Sequence, residues 1–411
     1  MKRVLFIAYH FPPLAGGGTF RSLKFVKYLP EFGWRPTVIT TNTKNYWAYD
    51  EELLKEVPPE VKIIRAPEID PFYLQIFLYK IGFGKLYQKI KDHFLIPDEK
   101  IGWIPIAYHK AVRELKRYKY DLIFSTSPTI CAHIIALKLK RNLNLPWVCD
   151  FRDYWTMHFI YPYKNTNRGK YEKQLELNFF QNADRIITVS EGVKRDFLSI
   201  FPDRPISIIT NGYDNGEIRQ KEKSTEFRIL YTGSFYEHYN PAFFLLAVKK
   251  VIDENPSLQS SFRLRFIGNY TQDIKIMFKH YQQYYLIDYL DLRSPNQLEQ
   301  EYISATILLL ILPGEKHYET YLPAKLFSYL NKSRPILAVI PDGEARSLLQ
   351  KSNLGFFADP DSPEDIKKQI LNLYRLWKTD KLHVQPDYKY IQQFHRRYLT
   401  KQLAEVFDSL V

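Results

Sequence analysis

Short apolar runs alternate with helical patterns along all 411 residues, and this alternation limits the fold more than any other feature of the sequence. The continuous apolar runs of the first half are typical of buried parallel strands. They are Arg3–Tyr9, Pro36–Thr41, Val61–Ala66, Asp121–Ser125, Trp147–Phe151, Arg185–Val189 and Ser207–Thr210. Helical patterns separate them, at Thr19–Phe32, Ala107–Tyr118, Ile130–Leu143 and Tyr171–Asn182. Strands that alternate with helices predict a doubly wound parallel sheet.

The pattern then starts again at Phe227, where an apolar run ends at Gly233 and a helical pattern follows over Pro241–Glu254. Further strands are predicted at Phe262–Ile267, Asp288–Leu292, Ile307–Leu312, Pro335–Ile340 and Gly355–Ala358. We therefore expect an α/β protein of two Rossmann-like domains, residues 1–215 and 227–387, joined by a polar linker at 216–226. A last helix over 388–411 is expected to cross back to the first domain. Two such domains would face each other across a cleft at the carboxyl ends of their strands.

Composition excludes several classes of protein. Apolar runs such as Ile307–Leu312 are far shorter than the roughly 20 residues of a membrane-spanning helix. The first residues lack a cleavage site, and Cys131 and Cys149 occur in apolar surroundings typical of buried thiols. These observations predict a cytoplasmic protein. Residues 1–215 carry 32 Lys and Arg against 22 Asp and Glu, which indicates an anionic partner for the first domain.

A glycine-rich loop follows the first strand. Gly16, Gly17 and Gly18 lie between that strand and a helix, where backbone N–H groups can approach an anion. Arg21 could add a phosphate contact, and His10 lies at the end of the strand. The alternative is a tight turn with Thr19 as the helix N-cap. The spacing fits neither a nicotinamide fingerprint nor a P-loop.

Charged residues also follow the fifth strand. Asp150, Arg152 and Asp153 lie within four positions, which suits the orientation of a hydroxyl group in catalysis. The alternative is a structural cluster of ion pairs. Two further segments are weaker signals, because Ser190 is typical of a helix N-cap and Asn211 with the following glycine is typical of a turn.

A loop rich in hydroxyl, aromatic and charged residues follows Ile307–Leu312 and enters a helix near Pro323. Lys325 and the helix amides could hold a diphosphate, although an ordinary strand–helix junction is the alternative. The Asp-x-Asp at 359–361 is followed by Ser362-Pro363-Glu364-Asp365, a typical helix start, so we expect no metal there.

These motifs in this order resemble the GT-B glycosyltransferases, and in particular glycosyltransferase family 4 of bacterial polysaccharide and glycolipid assembly. The resemblance covers nearly the whole chain. It depends on Pro12-Pro13 with Gly16-Gly17, Asp150–Trp155, Ile187–Glu191, Thr210–Asp214, Leu230–Ser234, Pro323–Leu330 and Arg334–Leu337. It implies transfer of a sugar from a nucleotide-sugar, with retention at the anomeric carbon and with neither metal nor cofactor. The first domain would bind the acceptor and the second the donor.

The resemblance assigns site residues as well. Asp150, Arg152 and Asp153 would be catalytic, and His10, Arg21 and Asn211 would lie on the acceptor side. The donor would contact Gly16, Gly17, Gly18, Gly233, Ser234, Tyr318, Glu319, Thr320, Leu322, Pro323, Lys325, Leu326 and Ser328. One departure matters, because the family usually has a ribose-binding Glu where Ser328 stands, and often another Glu at Thr320.

Residues 72–91 combine many aromatic residues with four lysines and no acidic residue. The lysines are Lys80, Lys85, Lys89 and Lys91. This composition is typical of a helix at an anionic membrane surface, which would place a lipid-linked acceptor at the inner leaflet. The alternative is an ordinary amphipathic helix packed on the sheet.

Two other functions remain open at this stage. A sugar-nucleotide epimerase has a similar two-domain architecture, and a catalytically inactive sugar-nucleotide-binding protein would fit the loss at Ser328. Nucleic acid is not an expected partner, because the basic residues are dispersed and no binding motif is present.

Overall fold

The computed structural model describes residues 1–46, 48–69, 71–214, 225–235, 239–282, 287–291, 293 and 295–411. Of the predicted linker 216–226, only residues 225 and 226 are among these. The chain divides into two units, residues 1–210 with 396–411, and residues 211–395.

Within this described part, the strands are β1 (Lys2–Ile7), β2 (Trp34–Thr41), β3 (Lys62–Ala66), β4 (Leu122–Thr126), β5 (Trp147–Asp150), β6 (Arg185–Thr188), β7 (Ile206–Ile208), β8 (Phe227–Thr232), β9 (Phe262–Ile267), β10 (Ile287–Leu290), β11 (Ile307–Ile311), β12 (Ile336–Val339) and β13 (Gly355–Ala358).

The helices are α1 (Gly17–Tyr28), α2 (Phe72–Lys80), α3 (Gly84–Phe94), α4 (Ile104–Arg117), α5 (Cys131–Leu143), α6 (Asn167–Asn182), α7 (Glu191–Ile200), α8 (Ala242–Glu254), α9 (Gln272–Gln282), α10 (Pro295–Ser304), α11 (Ala324–Leu330), α12 (Glu344–Lys351), α13 (Pro363–Lys378), α14 (Tyr388–Ile391) and α15 (Arg396–Asp408). Short 3-10 segments occur at Leu29–Phe32, Glu51–Glu56, Ile101–Trp103, Pro256–Ser260, Lys316–Thr320 and Gln392–Phe394.

The first unit contains a seven-stranded sheet in the order β3-β2-β1-β4-β5-β6-β7. Its strands pair in parallel, with Phe6 opposite Val38 on one side and Phe124 on the other. Apolar side chains are buried on both faces, because helices cover both. This burial explains why the strands are continuous apolar runs rather than alternating ones.

The second unit contains a six-stranded parallel sheet in the order β10-β9-β8-β11-β12-β13. Its core is one cluster of buried apolar residues that extends from β8 to the segment before α15. Both sheets reverse their strand order next to the first strand of the unit, as doubly wound sheets do. The predicted fold class, two parallel-sheet Rossmann-like units, is confirmed.

Two helix predictions need correction. The predicted helix over 388–411 is interrupted, because α14 ends at Ile391, a 3-10 turn covers Gln392–Phe394, and only α15 belongs to the first unit. The segment 72–91 forms two helices rather than one. Gly82 separates them with a φ of +79°, a left-handed conformation that favours glycine.

Candidate active site

The carboxyl ends of β1 and β4 lie side by side in the first unit, where the strand order reverses. Ligands of open parallel sheets bind at such a point. His10 and the loop Gly16–Gly18 follow β1, and Ser127 follows β4. The segment Phe151–Asp153 follows β5, the next strand of the sheet.

Arg21 and Asp150 form a buried ion pair below this edge. The guanidinium donates to both carboxylate oxygens, from Nε to Oδ2 at 3.0 Å and from Nη2 to Oδ1 at 2.8 Å. It also donates to the carbonyl oxygens of Ile209 and Thr210, at 2.9 and 2.7 Å. Thr126 Oγ1 donates to Asp150 Oδ2 at 2.7 Å. The hydrogen-bonding groups of both side chains are therefore occupied by partners within the fold.

This geometry corrects two of the predicted roles. Asp150 is 0% exposed and Arg21 is 2% exposed, so neither side chain can meet an acceptor or a phosphate. The pair instead ties α1 to β5 and to the end of the first unit's chain at Thr210. We assign both residues as positioning residues, because they hold the loops that carry His10 and Arg152.

Arg152 and Asp153 are placed differently. Arg152 is buried, and its guanidinium donates to the carbonyl oxygens of Ser127 at 2.5 Å and Gly17 at 3.3 Å. Burial lowers the pKa of Arg152. Among the described residues, no carboxylate lies within ion-pair distance of it. Asp153 is exposed and has no hydrogen-bond partner in that part of the chain. This edge therefore presents one free carboxylate beside a buried cation.

His10 packs against the glycine loop. Its Nδ1 lies 2.9 Å from the carbonyl oxygen of Pro128, which can only accept, so Nδ1 carries the proton. Nε2 is left as a hydrogen-bond acceptor. Burial, together with the positive charges of Arg152 and Lys100, lowers the pKa of His10 to about 4 and outweighs the hydrogen bond to Pro128, which raises it. The imidazole is neutral near pH 7, as a group that accepts a hydroxyl proton must be.

The glycine loop begins α1. Gly16, not Thr19, occupies the N-cap position, and its φ of +112° is one that glycine adopts readily. A Cβ at Gly18 would lie 3.3 Å from the His10 ring, whereas a Cβ at Gly17 would meet nothing within 4 Å. The buried Thr19 hydroxyl has no partner among the described residues. Asn211, predicted on the acceptor side, is the first residue of the second unit.

In the second unit, β8 ends at a glycine whose backbone is closely surrounded. Gly233 has a φ of +127°, and its N–H donates to the carbonyl oxygen of Ile267 at 2.8 Å. A Cβ there would lie 2.6 Å from Lys325 Nζ. Lys325 therefore comes so close to the end of β8 that only a glycine fits at position 233.

Tyrosine rings surround the Lys325 ammonium group. Nζ lies 3.8 Å from the ring centre of Tyr231 and 5.4 Å from that of Tyr239. It donates to the Tyr231 hydroxyl and, at 3.4 Å, to the Tyr239 hydroxyl. Tyr231 in turn donates to the carbonyl oxygen of Ser234 at 3.2 Å, and Tyr239 to that of Ile311 at 2.6 Å. The two hydroxyls are thus oriented with their lone pairs toward the lysine.

This lysine has no counter-charge among the residues that the structure describes. Only hydroxyl groups and aromatic faces contact its ammonium group, and burial lowers its pKa well below the usual value. Its side chain nevertheless keeps some exposure to solvent. A cation held without an anion at the carboxyl end of a parallel sheet is suited to bind an anionic ligand.

The remaining predicted donor residues fall into three groups. Leu322, Pro323 and Leu326 are buried and support α11 from below. Ser234 and Glu319 are exposed. Tyr318, Thr320 and Ser328 are partly buried, and Tyr318 lies 6.5 Å from Tyr239 between ring centres. These residues follow β8 and β11, which are neighbouring strands of the second sheet, although sequence alone did not identify Tyr231 and Tyr239. A Tyr two residues before the strand-end glycine was the available signal.

The carboxylates at 359–361 serve the loop before α13. Asp359 Oδ1 accepts from the Asp361 N–H at 2.9 Å, and Ser362 caps α13 by accepting from the Asp365 N–H at 3.2 Å. A Cβ at Gly314 would lie 1.9 Å from Asp361 Oδ2. Across the described residues, no group of three His, Cys, Asp or Glu side chains is arranged to hold a metal ion.

Comparison with known families identifies the first half of the chain. Residues 15–217, just under half of the chain, match the family model described as Glycosyltransferase Family 4. A search of curated proteins finds no match to this sequence.

Solved structures share the fold over the whole length. Anabaena Alr3699/HepE in complex with UDP-glucose is 14% identical, with a TM-score of 0.66 and 100% of both chains covered. The lipopolysaccharide outer core galactosyltransferase WaaB is 14% identical, with a TM-score of 0.57 and 99% of this chain and 100% of that chain covered. A putative UDP-N-acetylglucosamine 2-epimerase from Listeria monocytogenes is 9% identical, with a TM-score of 0.59 and 100% and 96% covered.

At these identities the structures show the fold alone, and the epimerase shares it. The family match distinguishes the two enzyme classes. The predicted resemblance to GT-B glycosyltransferases is confirmed: the first half of the chain matches glycosyltransferase family 4, and the whole chain shares the fold of these solved structures.

Proposed function

We propose that this protein transfers one sugar from a nucleotide-sugar to a lipid-linked glycan acceptor during the assembly of a cell-surface polysaccharide. The transfer proceeds with retention at the anomeric carbon and without a metal ion, and the protein acts at the inner face of the cytoplasmic membrane. The observation that carries the proposal is the Lys325 ammonium group, which Tyr231 and Tyr239 hold without an anion from the described part of the chain.

The donor diphosphate provides the missing anion. Negative charge develops on the nucleoside diphosphate as the glycosidic bond breaks, and a preorganised cation lowers the energy of that state. Lys325 is already oriented by its two hydroxyl partners, so little reorganisation accompanies the reaction. UDP and UDP-glucose are bound by the similar HepE, which supports a nucleotide-sugar as the donor here.

In this proposal the acceptor binds the first unit, at the edge formed by His10, Arg152 and Asp153. The exposed Asp153 carboxylate orients the attacking hydroxyl, and the neutral His10 offers Nε2 as an acceptor of its proton. Arg152 holds the Gly17 carbonyl and so fixes the glycine loop. We assign no nucleophile from the protein.

Ser328 separates this chain from the usual family pattern, in which a glutamate holds the nucleotide ribose. A serine offers one hydroxyl and no charge, so ribose binding is expected to depend on other groups, with the exposed Glu319 as the available carboxylate. Because phosphate contacts dominate in this arrangement, the protein should accept more than one nucleotide with the same sugar.

A thermal-shift panel tests the proposal. The purified protein is heated with the UDP, GDP, dTDP, ADP and CMP sugars, and the bare nucleotides serve as controls. A ligand that binds only the folded state raises stability by about 2.7 kcal/mol at a hundredfold excess over Kd. A shift produced by one or more of the nucleotide-sugars supports a sugar donor, whereas a flat panel contradicts it. Conversion of the sugar without any acceptor would instead identify an epimerase.

A further inference from the structure

The helices α2 and α3 form a hairpin, residues 72–94, that carries exposed apolar side chains. Phe77 is 58% exposed, Phe83 is 55% exposed, and Phe94 is 74% exposed. Ile76, Tyr79, Ile81 and Leu86 are exposed on the same hairpin. Scattered apolar residues on a surface need no explanation, but seven within 19 residues indicate a binding surface.

Lysines lie among these side chains. Lys80, Lys85 and Lys89 are exposed, and none of the three forms an ion pair with a described residue. Lys85 and Lys89 are four residues apart and share one face of α3. Lys91, which also belongs to the predicted patch, forms an ion pair with Glu99 at 2.8 Å and is therefore not counted among the unpaired charges. The hairpin thus presents three unpaired positive charges beside its apolar side chains.

We infer that the α2–α3 hairpin binds the surface of an anionic lipid bilayer, with its aromatic and aliphatic side chains at the acyl boundary and its lysines at the headgroups. Apolar side chains flanked by lysines are typical of interfacial helices. A second copy of the chain fits less well, because a two-fold contact would place the three lysines against their equivalents. The inference does not involve a membrane-spanning helix, since among the described residues no helix is long and apolar enough to cross a bilayer.

The base of the hairpin is anchored beside the acceptor edge of the first unit. Arg168, whose side chain is 9% exposed, donates to the carbonyl oxygens of Lys91 at 3.1 Å and Pro97 at 2.9 Å, and pairs with Glu172 at 2.7 Å. Its guanidinium also lies 3.9 Å from the ring centre of Tyr163.

Tyr163 lies in the segment that follows Asp153, and its hydroxyl donates to Asp92 at 2.7 Å. At the other end, the Tyr9 hydroxyl donates to Glu68, just before the hairpin. These contacts place the bilayer-binding surface next to the segments that carry His10 and Asp153, where a lipid-linked acceptor would have to enter. In this choice of acceptor the inference rests on the proposed function.

Vesicle binding tests the inference. The full chain is sedimented with phosphatidylcholine vesicles with and without phosphatidylglycerol. Each lysine near an anionic surface contributes about a fivefold gain in affinity, so the triple change K80Q, K85Q and K89Q should weaken binding by about 100-fold. The double change F77S and F83S should weaken binding to every vesicle. Because these side chains are exposed, all variants should fold.

A matched control removes the same charges and an equally exposed ring from the second unit, with K351Q, K378Q, K381Q and F243S. This control should bind vesicles like the unchanged protein. Equal binding of the hairpin variants and the control would overturn the inference, as would a failure of the unchanged protein to bind vesicles.

A dimer that is lost in the double phenylalanine variant, without vesicle binding, would overturn it in favour of a second copy. The donor-induced thermal shift, measured without lipid, should be unchanged in the hairpin variants. If no donor-induced thermal shift is observed in the unchanged protein, the result would count against the proposed function and not against bilayer binding by the hairpin.

Discussion

Replacement of Lys325 by methionine should change donor binding and folding stability to very different extents. The ammonium group is buried among tyrosines, the described residues supply no counter-charge, and burial lowers its pKa, so the charge does not stabilise the free protein. Methionine fills nearly the same volume, and Tyr231 and Tyr239 keep their hydrogen bonds to Ser234 and Ile311. We expect a change in unfolding free energy below about 1.5 kcal/mol.

Donor affinity should fall far more. Loss of a hydrogen bond between charged groups costs about 1.5 to 3 kcal/mol, which corresponds to a Kd roughly 10- to 150-fold higher. Titration calorimetry with the nucleotide-sugar that gives the largest thermal shift measures this Kd, and a melting curve without ligand measures stability. The control is K316M, which removes an exposed lysine from the same loop region. A Kd within twofold of the unchanged protein, or an equal loss in the control, would refute the phosphate role.

The same lysine predicts proton uptake on binding. Burial lowers the pKa of Lys325 in the free protein, whereas a bound diphosphate favours the protonated form, so binding should be accompanied by proton uptake. The binding enthalpy should then depend on the ionisation enthalpy of the buffer. This dependence should disappear in K325M. A binding enthalpy of the unchanged protein that is the same in all buffers would contradict this account.

Three further predictions follow from the first unit. D150N should lower the unfolding free energy by about 3 to 5 kcal/mol, because it leaves the buried Arg21 without its counter-charge; unchanged stability with lost activity would instead mean that the carboxylate acts on the acceptor. D153N should leave stability within about 0.5 kcal/mol and lower kcat by about 10²- to 10⁴-fold in a sugar-transfer assay, while an unchanged kcat would exclude its proposed role. Burial lowers the pKa of His133 to about 3 and that of His10 to about 4, below the ordinary 6.5. The unfolded chain therefore binds more protons below pH 6.5, and stability should fall as the pH drops from 6.5 toward 4, by about 1.4 kcal/mol per pH unit for each histidine. Denaturant melts of H133Q should show a shallower slope over this window, and an identical slope would contradict the assignment.

The fold was predictable from sequence because burial on both faces of a parallel sheet leaves continuous apolar runs. Each of the predicted strands, from Arg3–Tyr9 to Gly355–Ala358, has a counterpart in the structure that differs by at most two or three residues. The break at Gln392–Phe394 was not predictable in the same way, since its sequence continues the helical pattern on either side.

The site was predictable only in part. The sequence located the functional loops, because charged and polar residues follow the predicted strands. Whether each of these side chains is exposed depends on contacts between residues that are distant in the sequence. Arg21 is separated from Asp150 by 129 positions, and no local pattern shows that the two neutralise each other. Lys325 was identified, yet its tyrosine partners lie 94 and 86 positions away. The structure therefore changes the roles assigned to Arg21 and Asp150, while the predicted location of the site stays the same.

Because α15 is synthesised after the second unit, its packing on the first sheet affects when the first unit can finish folding. The ring centre of Phe407 in α15 lies 5.1 Å from that of Trp34 and 5.6 Å from that of Phe124. Asp408 accepts a hydrogen bond from the Trp34 indole N–H at 3.1 Å. One face of the first sheet thus lacks its cover until α15 has left the ribosome. At about 5 to 20 residues per second, the 185 residues of the second unit delay this by about 10 to 40 s. The unit that begins the chain is the last to be completed, and the inserted unit can fold first.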